Sequence, residues 1–177
     1  MVIWFIGKSS AGKTYLGKKL YNKIKRDYPN LIFLDGDELR HTISKDLGHS
    51  MQDRYISEER RSRLCKLLSD QGIHIIMSGL SNVPDIWEWN KSNIQGYIEV
   101  YLKSSQQTLY NRDPKGIYKK YLGGEINHVV GEDIEFHEPK LPWMKIDNSG
   151  EIDADKLVEK IIIKLKMDNI INWKKLA

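Results

Sequence analysis

The sequence predicts an α/β fold in which a parallel β-sheet is covered by helices on both faces. Five short apolar runs alternate with helical or polar segments along the 177 residues, at 2–6, 31–34, 73–77, 97–102 and 143–146. Runs that are apolar throughout are typical of strands buried on both faces, as the strands of a parallel sheet are. The length suits one domain, and we expect residues 1–177 to form it.

A glycine-rich loop follows the first apolar run and fits the pattern G-x-x-x-x-G-K-[ST]. Glycines let successive backbone N–H groups converge on an anion, and the helix that begins at Lys13 adds its positive dipole end. Lys13 is expected at the β- and γ-phosphates of ATP and Thr14 on Mg²⁺. A chance match in an ordinary strand-to-helix turn is the alternative. The predicted phosphate cradle consists of Gly7, Ser9, Ser10, Ala11, Gly12, Lys13 and Thr14.

Two carboxylates follow the second apolar run, in Leu34-Asp35-Gly36-Asp37. In an open parallel sheet, ligands bind beyond the carboxyl ends of the strands, so both lie close to the phosphate loop. Asp35 is expected to orient Mg²⁺, partly through water, and Asp37 to accept the proton of an attacking hydroxyl. The alternative for either residue is a helix N-cap, a position that Asp favours.

Apolar spacing with a helical period predicts helices at 13–27, 53–71, 105–111 and 154–167. The apolar face of the last one indicates a packing helix without chemistry. After the Asp113-Pro114 break, the polar stretch to Pro142 contains three glycines and no clear strand. A segment of that length predicts a mobile lid over roughly residues 113–142.

Arginines and lysines occur near both ends of the predicted site. Arg40 and Arg54 each follow a turn-like segment, where a planar guanidinium suits bidentate phosphate binding. Arg112 and Lys115 flank the Asp-Pro break, and a basic lid can neutralise charge on a transferred phosphoryl group. Lys119 and Lys120 follow, and for these two a solvated loop is the alternative. The remaining charges of the second predicted helix are expected to form a solvated face: Glu58, Glu59, Arg60, Arg61 and Arg63.

Composition limits the other functions that the chain could have. Lys and Arg number 28 against 24 Asp and Glu, which suits small anionic ligands and argues against a nucleic-acid partner. The single cysteine, Cys65, cannot form an internal disulfide, and no apolar run approaches 18 residues. No histidine lies among other metal-ligating residues. We therefore expect a cytoplasmic protein without a structural metal, a membrane span or an export signal.

Several segments of the chain match one known pattern: the phosphate loop, Asp35-Gly36-Asp37 with Arg40-His41, Lys45-Asp46-Leu47-Gly48, Asp53-Arg54 and Arg112-Asp113-Pro114-Lys115-Gly116-Ile117-Tyr118-Lys119-Lys120. With these segments, the chain resembles the adenylylsulfate kinase family over nearly its whole length. The resemblance implies a P-loop kinase fold and transfer of the ATP γ-phosphate to the 3′-hydroxyl of adenosine 5′-phosphosulfate. It implies that Asp37 is the acceptor-side base, that Arg40 and Arg54 hold the acceptor's 5′-phosphate end, and that Arg112 and Lys115 belong to the ATP and lid side.

Departures from the family pattern gather on the acceptor side. The family usually grips the acceptor adenine between two phenylalanines, where this chain has His49 and Val129. Each lost stacking contact is worth about 1–3 kcal/mol. Ser57 replaces the usual Asn, and Gly79-Leu80-Ser81-Asn82-Val83 replaces Phe-Ile-Ser-Pro-Tyr, with Ser81 retained. The donor-side residues match the family pattern and the acceptor-side residues do not. This difference favours a kinase whose acceptor is not adenosine 5′-phosphosulfate.

The same combination resembles a capsule-pathway branch of the family, whose members phosphorylate the ribose 3′-hydroxyl of cytidine 5′-diphosphoramidate. We therefore expect an ATP- and Mg²⁺-dependent kinase of this small nucleotide, with adenosine 5′-phosphosulfate as the alternative acceptor. His49, Ser57, Ser81, Lys115 and Val129 are expected to bind the acceptor together with the aspartates and arginines above. A nucleotide-dependent switch and a nucleic-acid-binding module are the rival classes, and a homodimer is left open.

Overall fold

The computed structural model describes residues 1–150 and 153–171, and five strands form one sheet in that part of the chain. Every neighbouring pair of strands is parallel. Each predicted strand is confirmed, with bounds that move by one residue at most. The strands are β1 (Val2–Ile6), β2 (Leu31–Asp35), β3 (His74–Ser78), β4 (Tyr97–Lys103) and β5 (Met144–Asp147), in the spatial order β2-β3-β1-β4-β5.

Seven helices connect or cover these strands in the described part of the chain. The predicted helices are present as α1 (Lys13–Ile24), α3 (Met51–Asp70), α5 (Gln106–Arg112) and α7 (Ala154–Met167). Three further helices were not predicted from the sequence: α2 (Gly36–Ile43), α4 (Pro84–Asn93) and α6 (Ile117–Leu122). They have ten residues or fewer, too short for a clear apolar period.

The central strand shows why the sheet is covered on both faces. Ile3 and Phe5 point into a core formed with α1 and α7. Trp4 and its neighbours Val2 and Ile6 point the other way, into a core that includes residues of α3 and α4. All five side chains of β1 are fully buried. This alternation confirms the predicted parallel sheet with helices on both faces.

The predicted lid segment contains α6 and one isolated bridge between Val130 and Ile134. It is tied to the phosphate loop by Tyr118, a buried residue whose hydroxyl donates to the Ser9 carbonyl at 3.1 Å. Gly131 has a φ of 95°, and a Cβ there would lie 2.9 Å from the Lys8 side chain. The segment therefore packs directly against the loop that follows β1.

No helix in residues 1–150 and 153–171 combines the length and the apolar character that crossing a bilayer requires.

Candidate active site

A cavity of about 750 Å³ opens at the carboxyl ends of the strands, where open parallel sheets bind their ligands. Its walls come from the residues that follow β1, β2, β3 and β5, together with α3 and the predicted lid. The structure thus brings the donor and acceptor residues predicted from the sequence into one place. The predicted residues that line it are Ser9, Ser10, Gly12, Lys13, Thr14, Asp37, Arg40, His49, Arg54, Ser57, Arg112, Lys115 and Val129.

The phosphate loop ends at Gly12, which caps α1 with a φ of 91°. A Cβ at this position would lie 2.8 Å from the side-chain nitrogen of Asn148, so both backbone conformation and space require glycine. Asn148 in turn donates to the Ala11 carbonyl at 2.9 Å and holds the loop in place. Asn148 belongs to no sequence motif and was not predicted, although its position just after β5 is where polar site residues occur.

Lys13 begins α1 and is buried at the base of the cavity, where its Nζ donates to the Lys8 carbonyl at 2.6 Å. Burial lowers the pKa of Lys13 to about 8, and the nearby positive charge of Lys115 acts in the same direction. The carboxylates of Asp37 and Asp35 oppose this shift. The side chain is therefore a poorly hydrated ammonium group that an added polyanion would stabilise.

Thr14, Asp35 and Ser78 form an oxygen cluster beside the loop. The Thr14 hydroxyl donates to Asp35 Oδ2 at 2.8 Å and lies 3.1 Å from the Ser78 hydroxyl oxygen. One carboxylate with a neighbouring hydroxyl is a suitable partial site for Mg²⁺, which takes its remaining ligands from water and phosphates. Within residues 1–150 and 153–171 there is no group of three His, Cys, Asp or Glu side chains that could hold a metal by itself.

Asp35 also serves as the N-cap of α2. Its Oδ1 accepts from the backbone N–H of Asp37 at 2.9 Å, while its other oxygen binds Thr14. One oxygen of Asp35 therefore caps α2, and the other is available for the predicted Mg²⁺ site, so the two roles predicted for this residue are compatible. The cap also fixes the start of α2, which places Asp37 in the first turn of the helix and at the cavity wall.

Asp37 forms an ion pair with Lys115 from the lid segment, and both side chains are more than half exposed. Burial by itself would raise the pKa of Asp37. The hydrogen bond and charge of Lys115, with smaller contributions from Lys13 and Arg61, lower that pKa below its usual value instead. Asp37 is therefore ionised, and its Oδ2 is paired with Lys115 from the predicted lid segment.

Arg40 and Arg54 line the cavity and bind backbone carbonyls of neighbouring segments. Arg40 Nη2 donates to the Gly48 carbonyl at 2.6 Å, and its Nη1 is buried without a partner among the described residues. Arg54 donates to the carbonyls of His49 at 3.0 Å and His128 at 2.6 Å. It thereby connects the start of α3 to the segment next to Val129. Burial, together with the charges of both arginines, lowers the pKa of His49 and favours its neutral imidazole.

The prediction of a solvated charged face on α3 is wrong for two residues. Glu58 and Arg61 are buried, with side-chain exposures of 2% and 8%, and both line the cavity. Arg60 and Arg63 do lie on the exposed side, paired with Asp46 and Glu59. The error has a simple cause: charge composition alone does not show which helix face meets the core, and α3 has charged residues on both faces.

Four predicted site residues do not line the cavity themselves. Gly7 and Ala11 belong to the loop backbone, and Asp35 acts from behind Thr14. Ser81 is fully buried, where its hydroxyl binds Glu58 and accepts from the Trp87 indole N–H at 2.6 Å. Ser81 therefore lies behind the cavity wall, where it binds Glu58.

A phosphate loop, an ionised carboxylate and several cationic side chains in one cleft define a P-loop phosphotransferase. Comparisons with known proteins identify its family. The model of the adenylylsulphate kinase family matches residues 1–147. The chain belongs to this family.

Among similar proteins, the cytidine diphosphoramidate kinase of Campylobacter jejuni is 40% identical over 166 residues, which cover 94% of this chain and 96% of that protein. A probable adenylyl-sulfate kinase of Pyrococcus abyssi is 35% identical, covering 93% and 94%. Among solved structures, that of the Mycobacterium tuberculosis APS kinase CysC in complex with AMPPNP and APS matches with a TM-score of 0.84 and a sequence identity of 30%. The match covers 93% of this chain and 96% of that chain. The protein is thus an ATP-dependent phosphotransferase of the nucleotide 3′-kinase type.

Proposed function

We propose that this chain transfers the γ-phosphate of ATP to the ribose 3′-hydroxyl of cytidine 5′-diphosphoramidate, a step in making the phosphoramidate of a capsular polysaccharide. The observation that carries the proposal is the contrast within one cavity. The phosphate loop and Asp37 are in place, whereas His49 and Val129 stand on the acceptor wall where the family usually has two phenylalanines. The 40% identity to the Campylobacter enzyme supports the same acceptor.

In this proposal, the chain's own residues position the reactants and stabilise charge. Backbone N–H groups of the loop and the Lys13 ammonium hold the donor phosphates, and Arg112 and Lys115 cover them from the lid side. Asp37 accepts the proton of the acceptor hydroxyl, and its Oδ2, now paired with Lys115, becomes available for this when Lys115 turns to the donor phosphates. Binding of a phosphate-rich donor favours this exchange, because Lys115 then has a second anionic partner.

The proposed Mg²⁺ would be held by Thr14, with Asp35 acting partly through water, and their contact of 2.8 Å fits that use. When bound, the metal ion would neutralise charge on the β- and γ-phosphate oxygens. The Ser78 hydroxyl at 3.1 Å from Thr14 adds a further oxygen to this cluster.

We further propose that residues 113–142 act as a mobile lid of a single catalytic domain spanning residues 1–177. Lys115 and the backbone around Val129 already reach the cavity, and a ligand between them and α3 would change the contact from Arg54 to the His128 carbonyl. A cytoplasmic location suits the ATP donor and the free, buried Cys65. Pairing as a homodimer stays a prediction that light scattering can check.

Adenosine 5′-phosphosulfate is the second candidate acceptor. The likeness to the Mycobacterium tuberculosis enzyme in complex with APS favours it, as does the 35% identity to the Pyrococcus relative. Both acceptors present a 3′-hydroxyl and a tetrahedral group on a nucleotide phosphate, so they differ in the base and in the identity of that activated group. The donor-side chemistry would be the same for either compound.

The deciding experiment compares kcat/KM for the two acceptors with ATP held saturating, followed by ³¹P NMR of the product. We expect cytidine 5′-diphosphoramidate to be the better substrate and the new phosphate to be attached at the ribose 3′ position. Its 3′-deoxy analogue, as a control, should give no ADP above the background. Equal or better turnover of adenosine 5′-phosphosulfate would overturn the proposed acceptor and leave the ordinary family activity in its place.

A further inference from the structure

A buried guanidinium, that of Arg61, lies at the ends of two adjacent strands. The side chain comes from the middle of α3 and is only 8% exposed. A Cβ added to Gly36, just after β2, would lie 2.8 Å from Arg61 Nη1, and one added to Gly79, just after β3, would lie 2.7 Å from it. The guanidinium therefore occupies space that is free only because a glycine follows each of these strands.

The buried carboxylate of Glu58 lies one helical turn before Arg61. It accepts hydrogen bonds from the Asn82 backbone at 3.1 Å, the Trp87 indole at 3.2 Å and the Ser81 hydroxyl. Its Oε2 lies 4.0 Å from Arg61 Nη2. Three donors from the segment after β3 therefore fix the carboxylate in place. Buried ion pairs add little net stability, so the consequence of this one is the fixed position of a cation at the cavity wall.

The hydrogen bonds of Arg61 leave one end of its guanidinium facing the cavity. Nε and Nη2 both donate at 3.2 Å, to the carbonyls of Ser57 and Leu80 respectively. Within residues 1–150 and 153–171, these two are the hydrogen bonds that Arg61 donates, and neither comes from Nη1. This nitrogen lies next to Gly36 and Gly79, which both line the cavity. A ligand oxygen in the cavity can therefore complete the hydrogen bonding of Nη1.

The charges around Arg61 show which kind of ligand fits. Arg40 and Arg54 line the same cavity; the charge of Arg40 acts to lower the pKa of both Arg54 and Arg61, and the charge of Arg61 acts to lower the pKa of Arg54. Glu58 and Asp37 are the carboxylates that act on Arg61, and Lys115 already neutralises Asp37. The wall thus has more positive than negative charge and suits an acceptor with at least two negative charges at its 5′ end.

We propose that Arg61 is an acceptor-binding residue, whose Nη1 donates to a non-bridging oxygen of the anionic group linked to the acceptor's 5′ position, with Glu58 as its positioning residue. The inference rests on the proposed function, because it assumes a 5′-activated nucleotide in the cavity. It also gives a physical account of Gly79. A larger side chain at residue 79, such as the phenylalanine usual in the family, would take the place of the guanidinium.

Arg61→Met tests the proposal, with the exposed neighbour Arg60→Met as the matched control. Steady-state kinetics are measured for each variant with cytidine 5′-diphosphoramidate and with adenosine 5′-phosphosulfate. For whichever acceptor the unaltered enzyme uses, we expect Arg61→Met to raise the acceptor KM roughly 10- to 100-fold, the usual cost of a lost charged hydrogen bond. The KM for ATP should stay within about twofold, and Arg60→Met should change neither constant.

A double variant, Glu58→Gln with Arg61→Met, separates binding from structure. Arg61→Met alone leaves the buried Glu58 carboxylate without its cation and should lower the melting temperature. The double variant removes both buried charges, so its melting temperature should be higher than that of Arg61→Met, while the acceptor KM stays raised. Recovery of a normal acceptor KM in the double variant would overturn the inference, since Arg61 would then act only by neutralising Glu58. An acceptor KM within about threefold of normal in Arg61→Met would overturn it as well. If the unaltered enzyme uses neither acceptor, the proposed function fails, and the inference falls with it.

Discussion

The two sides of the cavity are built in different ways. The phosphate loop of the donor side consists of adjacent residues, from Gly7 to Thr14, and is held by backbone geometry and by the contact of Asn148 with the Ala11 carbonyl. The acceptor wall is assembled from α2, His49, α3 and residues 126–130, and charged side chains such as Arg54 bridge these segments. The phosphate loop is therefore built from local contacts, whereas the acceptor wall combines side chains that are distant in the sequence.

This contrast explains where the chain departs from its family. In the proposed function, the loop binds ATP phosphates through its backbone, so we expect few of its residues to tolerate change. The acceptor wall would recognise its ligand through side chains, so replacing His49, Val129 or Arg61 is expected to alter recognition while the sheet stays intact. The predictions below test first the donor side, where the largest effects are expected, and then the separation between the two sides.

Lys13→Ala should lower kcat by at least about 10⁴-fold. Loss of one neutral donor to a transition state costs about 10²–10³-fold, and charge-assisted hydrogen bonds are roughly twice as strong. The exposed Lys18→Ala, on the same helix, is the control and should keep full activity. Circular dichroism checks that both variants fold. A Lys13→Ala enzyme within about tenfold of normal would contradict the phosphate-loop mechanism.

Asp37→Asn should lower kcat by about 10²–10⁴-fold, with little change in the KM for ATP, because it removes a general base and keeps the side-chain shape. The substitution also breaks the ion pair with Lys115, and this pair is exposed enough that stability should change little. Steady-state kinetics at varied ATP give both constants. A large rise in the ATP KM at near-normal kcat would instead make Asp37 a residue of the donor side.

Features that depend on adjacent residues could be predicted from the sequence, whereas features that depend on contacts between distant residues could not. The phosphate loop and the strands were predictable because their signals lie in adjacent residues. The helix α2 was not, since it starts at an aspartate cap and a glycine rather than in an apolar period. Glu58 and Arg61 were missed because their burial depends on packing against residues 79–87, more than 15 positions away.

His49→Phe combined with Val129→Phe should move acceptor preference toward adenine by about tenfold or more, measured as the ratio of kcat/KM values for the two acceptors. Each base–aromatic contact is worth about 1–3 kcal/mol, and adenine offers the larger stacking surface. The KM for ATP should not change, because both positions lie on the acceptor wall. An unchanged ratio would show that base preference is set elsewhere, and a changed ATP KM would show that the two sides are coupled.

The smallest expected effect is a pH dependence that separates free enzyme from the ATP complex. Burial lowers the pKa of Lys13 to about 8, so the free enzyme loses the ammonium charge as pH rises through that value. kcat/KM for ATP, which reports the free enzyme, should therefore be constant below about pH 8 and fall by about tenfold per unit above it. Bound phosphates add negative charge next to Lys13 and raise its pKa, so kcat should hold to higher pH.

Asp37 stays ionised throughout this pH range, because its pKa lies below the usual value, so it contributes no slope to either profile. Arg61→Met should move the fall in kcat/KM to higher pH, since the Arg61 charge acts on Lys13 to lower its pKa. Parallel falls of kcat and kcat/KM would mean that ATP does not protect Lys13, and would place its ammonium away from the donor phosphates.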